Sequence, residues 1–116
     1  LRKIFFVTIW GNGKSMRELL YVDDFADACI FFMQKKTKES FINIGSGIEK
    51  TIYGYTQYII KKLGVKLNIK YDRSKPNGMR RKLLDLTISK KYGWKSKTSL
   101  DHAFNAVYSD FVNKLK

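Results

Sequence analysis

The chain has 116 residues, 44% of them hydrophobic, and this length suits one domain with a single core. Its one cysteine excludes an intramolecular disulfide and favours a reducing cytoplasm, and no apolar run approaches the ~20 residues that would cross a membrane. The net charge of +13 raises the question of nucleic-acid binding, but lysines concentrate where helices are expected to end, which favours a solvated Lys-rich surface.

The first third of the chain is predicted to form two strands and a helix. Residues 4–10 are rich in Phe, Val, Ile and Thr, which favours a strand, and Glu18–Val22 is expected to form a second short one. Asp23 or Asp24 is predicted to cap a helix that runs to about Lys36. This helix is apolar over more than one face, so a chain this short is expected to expose apolar surface or to self-associate. The residues concerned are Phe25, Ile30, Phe31, Phe32 and Met33.

The middle of the chain is predicted to alternate between strands and a helix. Phe41–Ile44 is expected to be a strand that leads into a Gly-Ser-Gly loop. Thr51 is predicted to cap a helix over residues 52–63, because Gly64 follows as a typical C-terminal stop. Apolar and polar residues then alternate through residues 67–71, which is typical of a half-exposed strand.

The last third is predicted to contain an extended segment and two helices. Arg81–Leu86 is expected to be extended, and Thr87 to start a short helix closed by Gly93. Thr98 or Ser99 is predicted to cap a final helix, whose apolar residues follow a period of about 3.6. The order of the elements places the chain in the α/β class.

The segment Trp10–Asp24, WGNGKSMRELLYVDD, carries the first functional motif. Gly11 and Gly13 flank Asn12 in a tight turn, where backbone can approach a ligand closely. Arg17 offers a planar fork of donors suited to phosphate, although an ion pair with one of the following aspartates is the alternative. This order resembles the nucleotide-sugar branch of the extended short-chain dehydrogenases, in which G-x-G-x-x-x-R leads into a V-D-D segment.

The segment Lys75–Asp85, KPNGMRRKLLD, carries the second and more specific motif. Pro76 fixes its own φ and Asn77-Gly78 is a strong turn signal, so the basic residues of the segment are presented around a bend. The pattern K-P-D-G-x-x-R-K-L-L-D, followed by a short helix ending in G-W, resembles the GDP-L-fucose synthases of the same family. The resemblance runs from about Val7 to the end of the chain.

The resemblance implies that residues 1–116 are the small, substrate-binding C-terminal domain of an extended short-chain dehydrogenase/reductase, with the N-terminal Rossmann part absent. NADPH and the catalytic residues would then belong to that absent part, which leaves neither catalytic nor cofactor-binding residues here. The whole enzyme would convert GDP-4-keto-6-deoxy-D-mannose to GDP-L-fucose by 3,5-epimerisation and 4-reduction. Its expected partners are the GDP-sugar, the Rossmann part and a second copy in a homodimer.

Five residues are implied as substrate contacts: Trp10, Arg17, Asn77, Arg81 and Lys82. Arg17 and Lys82 are expected to bind the diphosphate from two directions. Asn77 departs from the usual Asp of the motif, which keeps the turn chemistry but loses the charge. Taken alone, a Trp that closes a strand is more often a core-packing residue.

Two alternatives stay open. Another nucleotide-sugar epimerase, reductase or dehydratase would share the first motif, and the positive charge is consistent with a basic nucleic-acid-binding module. A metal site is not predicted, because His102 has no metal-ligating residues at suitable spacing and Cys29 is expected to be a small core residue.

Overall fold

A computed structural model describes residues 5–116, and it confirms the α/β class. The elements are β1 (Phe6–Trp10), β2 (Met16–Glu18), α1 (Val22–Met33), β3 (Glu49–Thr51), α2 (Ile52–Leu63), β4 (Asn68–Asp72), β5 (Arg81–Lys82), α3 (Thr87–Lys91) and α4 (Leu100–Lys114). The chain divides into two compact units. The first unit consists of the residues up to Glu18 together with Ile48–Leu83, and the second consists of Leu19–Gly47 together with Leu84–Lys116.

The first unit is built on two small sheets. Strands β1 and β4 pair in parallel, and β2 lies between β3, its antiparallel neighbour, and β5, its parallel neighbour. Helix α2 begins as predicted, because the Thr51 hydroxyl accepts the N–H of Gly54 at 2.9 Å, and it ends at Gly64 in the left-handed region with φ 65°. Buried Tyr55 of α2 donates its hydroxyl to the carbonyl of Arg17 at 2.9 Å, which fixes the position of β2.

The second unit has a small core around Ala28 and Trp94, which are 1% and 4% exposed. The indole N–H of Trp94 donates to Asp27 at 3.0 Å. Helix α4 begins as predicted at Ser99, whose hydroxyl accepts the N–H of His102 at 3.1 Å.

The capping role predicted for Asp23 or Asp24 is wrong. The N-cap of α1 is Tyr21, and both aspartates lie inside the first helical turn. Asp24 is 2% exposed, and its carboxylate accepts the N–H of Thr98 at 3.0 Å and the hydroxyl of Thr98 at 2.8 Å. The local sequence pattern predicts that this carboxylate caps the helix, but it is instead hydrogen-bonded to Thr98, which lies 74 residues away in the chain.

We expect Asp24→Ala to lower the free energy of unfolding by about 1–3 kcal/mol, because the mutation leaves the N–H of Thr98 without its partner in a part-buried position. Urea unfolding followed by circular dichroism measures the change. Asp23→Ala is the matched control, since Asp23 is an exposed carboxylate in the same turn. Its loss removes helix-dipole stabilisation and an exposed hydrogen bond with the Tyr21 hydroxyl. Together these contribute about 1 kcal/mol. Equal losses in the two variants would contradict the role assigned to Asp24.

Three predicted strands differ from the structure. Residues 41–44 form no strand, and among the described residues no strand pairs with them; Asn43 donates instead to the carbonyl of Asp85 at 3.3 Å. The second strand is Met16–Glu18 rather than residues 18–22, because α1 already begins at Val22. The extended segment predicted for residues 81–86 is a strand only at its first two positions.

The apolar surface expected on α1 is present. Phe25, Ile30 and Met33 are 51%, 58% and 84% exposed, whereas Phe31 and Phe32 are half-buried. Cys29, expected in the core, is exposed, because the helix buries only Ala28 and Asp24. Helix α4 likewise exposes much of its apolar stripe, including Val107, Tyr108 and Phe111.

Candidate functional site

The two sequence motifs meet within the first unit. The first contributes the glycine turn (residues 11–13), and the second contributes the proline loop (residues 75–80). The side-chain oxygen of Asn77 accepts the N–H of Asn12 at 2.7 Å, and the buried Ser15 hydroxyl donates to the carbonyl of Asn77 at 2.9 Å. Asn77 therefore joins two segments that lie more than sixty residues apart in the chain.

The glycine turn depends on its missing side chains. Gly11 has φ 77°, in the left-handed region that favours glycine, and its N–H donates to the carbonyl of Asp72 at 2.9 Å. A Cβ at Gly11 would collide with the side chain of Asn77. The close approach of these segments thus requires glycine at position 11.

A cavity of about 670 Å³ lies where the glycine turn and the proline loop come together. Its volume is within the range of small-molecule sites. Of the five substrate contacts predicted from the sequence, Asn77 and Arg81 line this cavity. Trp10, Arg17 and Lys82 do not. The full lining is Asn12, Lys14, Ser15, Met16, Asn77, Gly78, Arg80 and Arg81.

Arg17 supports the proline loop from β2. Its Nη1 donates to the carbonyls of Met16 and Met79, both at 2.7 Å. A Cβ at Gly78 would lie 3.0 Å from the Nη2 of Arg17, so the guanidinium runs directly beside that loop. Arg17 is only partly exposed, and its carbonyl is held by Tyr55. Its guanidinium therefore has a fixed position before any ligand binds.

Three cationic residues stand side by side across the sheet β3–β2–β5. Arg17 is the register partner of Lys50 on one side and of Lys82 on the other. Residues directly opposite one another in paired strands project from the same face, so these three form one cationic row. Arg17 and Lys82, predicted to act together on a diphosphate, are thus neighbours. Met16 and Arg81 are the next register pair and belong to the opposite face, which lines the cavity.

Arg81 already holds a carboxylate. Its Nη2 and Nε contact the two carboxylate oxygens of Glu49 at 2.6 and 3.1 Å, in the bidentate geometry typical of Arg. This hydrogen-bonded carboxylate raises the pKa of the Arg81 guanidinium above its ordinary value. A ligand that contacts Arg81 would share it with Glu49.

Trp10 ends β1, and the residue is 64% exposed. The Nζ of Lys75 lies 5.3 Å from the ring centroid, within the distance of a cation–π contact. The core-packing alternative for this residue is therefore wrong, and the ring is accessible to a ligand.

Sequence reasoning does not single out Lys14, Arg80 or Lys50. Lys14 directly follows the glycine turn, and Arg80 is one of several basic residues around the bend. The positions of Lys14 and Arg80 next to the two motifs are the sequence signal that could have identified them. The place of Lys50 depends on strand register, which the local sequence does not reveal.

Within residues 5–116, the structure shows neither a candidate metal site nor a membrane-spanning helix. No group of three His, Cys, Asp and Glu side chains in that range could hold a metal ion. None of the helices in the same range is long and apolar enough to cross a membrane.

The chain is similar to known proteins in both sequence and structure. Residues 3–45 match the model of the NAD dependent epimerase/dehydratase family. The chain is 40% identical to GDP-L-colitose synthase from Yersinia pseudotuberculosis, over 93% of the chain and 35% of that protein. It is 39% identical to GDP-L-fucose synthase from Escherichia coli K12, over 91% of the chain and 36% of that protein. GDP-mannoheptose C4 reductase from Campylobacter jejuni, solved with NADP bound, is 32% identical with a TM-score of 0.77, over 90% of this chain and 34% of that one.

The chain matches the extended short-chain dehydrogenase/reductase family, as its motifs predict. Within that family, its relatives in sequence include GDP-L-fucose synthases and a GDP-L-colitose synthase. The chain spans about a third of the length of these relatives.

Proposed function

We propose that this chain is the substrate-binding portion of an enzyme that makes GDP-L-fucose from GDP-4-keto-6-deoxy-D-mannose. The reaction would combine 3,5-epimerisation with NADPH-dependent reduction at C4. The 116 residues would bind the GDP-sugar, and a Rossmann portion of the same protein would hold NADPH and the catalytic residues. The enzyme is expected to be a homodimer.

One observation carries this proposal: the two motifs that resemble nucleotide-sugar enzymes are folded into one site. Asn77 of the proline loop accepts the N–H of Asn12 in the glycine turn. Arg17 of the first motif donates to the carbonyl of Met79 in the second. A ligand bound where the motifs meet would contact residues of both, and the cationic row beside them suits a diphosphate.

The basic and aromatic residues of the site support a division of roles. Arg17 presents a planar fork that matches phosphate oxygens, and Lys82 adds an exposed point charge on the same face. Exposed Trp10 offers an aromatic face for a ring of the ligand. Asn77 offers a neutral amide where the motif of the family usually has a carboxylate, so a sugar hydroxyl would meet no negative charge there.

Isothermal titration calorimetry tests the ligand class. We expect GDP-L-fucose to bind more tightly than UDP- and dTDP-sugars, and a DNA duplex to bind only weakly at physiological salt. Tight binding of the duplex, with no preference among the sugar nucleotides, would refute the proposal in favour of a basic nucleic-acid-binding module.

A second candidate is a reductase for a different GDP-keto sugar, since the chain is also 40% identical to a GDP-L-colitose synthase. Both candidates require GDP recognition and differ only in the sugar. Mass spectrometry of the products formed by the enzyme with each keto sugar distinguishes them.

We expect the 116-residue chain alone to show no reductase activity. Its sequence contains neither a dinucleotide fingerprint between a strand and a helix nor a Tyr-x-x-x-Lys segment preceded by a catalytic serine region. Absorbance at the NADPH band, followed with the purified chain and the keto sugar nucleotide, measures the activity. NADPH oxidation above the rate without protein would contradict this expectation.

A further inference from the structure

The cavity between the glycine turn and the proline loop carries charge that the diphosphate contacts proposed above do not use. Lys14, Arg80 and Arg81 all line it, and no lining residue is acidic. Arg81 is engaged by Glu49 in a bidentate ion pair. Lys14 and Arg80 are therefore the cationic groups that the cavity offers to a ligand.

The backbone that carries these two cations is held in place. The N–H of Lys14 donates to the side-chain oxygen of Asn12 at 2.9 Å. The carbonyl of Arg80 accepts the N–H of Met16 at 2.8 Å. A ligand would consequently order two side chains rather than two loops, which keeps the entropic cost of binding small.

We propose that this cavity is an anion site that takes a phosphate or diphosphate group through Lys14 and Arg80. Two of its lining residues, Met16 and Arg81, project from the sheet face opposite to that of the cationic row. Arg80 supplies a planar fork of donors and Lys14 a mobile point charge, a combination that suits tetrahedral oxyanions. The proposal does not depend on the identity of the sugar, or on any role of Arg17 and Lys82.

Asn77 keeps the lining free of negative charge. Its side-chain oxygen makes the hydrogen bond to Asn12 that joins the two segments. An aspartate would accept the same hydrogen bond but would add a carboxylate to the cavity. Asn77→Asp therefore changes the charge of the site while retaining the bond that shapes it.

Titration of the whole chain with inorganic pyrophosphate tests the proposal. We expect Lys14→Gln and Arg80→Gln each to weaken binding by about tenfold, since each loses a charged hydrogen bond. Asn77→Asp should weaken it by a similar factor through repulsion. Lys66→Gln is the matched control, because it removes an exposed lysine of the same unit and should leave the affinity unchanged.

Lys82→Gln separates this site from the cationic row. If pyrophosphate affinity falls in Lys82→Gln but not in Lys14→Gln or Arg80→Gln, the cavity is not the anion site and the proposal is overturned, while the diphosphate role of the row is supported. If affinity falls in the Lys14 and Arg80 variants, the proposal is upheld. Competition by GDP then shows that the cavity takes the phosphates of a nucleotide, which would contradict the assignment of the diphosphate to the cationic row. Simultaneous binding shows a separate phosphate-type ligand in the cavity, and both results agree with the proposed anion site.

Discussion

Replacing Arg17 by alanine in the full enzyme is expected to raise the KM for the GDP-sugar strongly while leaving the affinity for NADPH nearly unchanged. The partly buried guanidinium would lose a charged contact with the diphosphate, a loss on the order of 2–5 kcal/mol. Lys82→Ala should act in the same direction but less strongly, because Lys82 is exposed and solvent screens its charge. Steady-state kinetics with each substrate varied in turn measures both effects.

The controls for this prediction follow from the contacts of Arg17. Arg17 also donates to the carbonyls of Met16 and Met79, so unfolding of Arg17→Ala must be measured to separate loss of binding from loss of structure. Lys97→Ala removes an exposed lysine outside both motifs and should change neither KM nor stability measurably. If Arg17→Ala and Lys82→Ala both bind GDP-sugar as tightly as the parent, their assignment to the diphosphate is wrong.

Gly11→Ala is expected to lower the free energy of unfolding by about 2–5 kcal/mol, the largest loss of stability among these substitutions. Its φ of 77° is strained for alanine, and the new Cβ would meet the side chain of Asn77 and break the hydrogen bond to Asn12. Chemical denaturation measures the loss. Binding of GDP-sugar should weaken as well, because the two motifs would separate.

Gly64→Ala is the matched control for the steric part of this effect. Gly64 has a similar φ of 65°, but a Cβ added there, at the end of α2, would have nothing within 4 Å. Only the backbone strain remains at this position, at about 1 kcal/mol, and ligand affinity should not change. Losses of equal size at positions 11 and 64 would show that the contact with Asn77 is unimportant.

Local signals are sufficient where a single residue decides the structure. Thr51 and Gly64 delimit α2 as predicted, and Ser99 begins α4, because a hydroxyl cap or a left-handed glycine acts within one helical turn. The family resemblance is equally readable, since it rests on short motifs with fixed spacing.

Predictions fail where a distant partner decides the outcome. Asp24 is a residue type that commonly caps helices, but its carboxylate is hydrogen-bonded to Thr98, 74 residues further along the chain. Residues 41–44 have the composition of a strand but no neighbouring strand to pair with among the described residues. In the site, the sequence can name Asn77 as a turn residue but cannot show that it bonds Asn12, or that Lys50 stands beside Arg17.

The cationic row is expected to destabilise the sheet when no ligand is bound. Lys50, Arg17 and Lys82 occupy adjacent strands of a sheet with only two or three residues per strand, so their mutual repulsion opposes the pairing that creates the site. Added salt should therefore stabilise the unliganded sheet by screening, and an anionic ligand should do so more effectively by binding between the charges. If the cationic row binds a diphosphate as proposed, substrate binding would also stabilise the sheet itself, because the ligand would offset the repulsion between Lys50, Arg17 and Lys82.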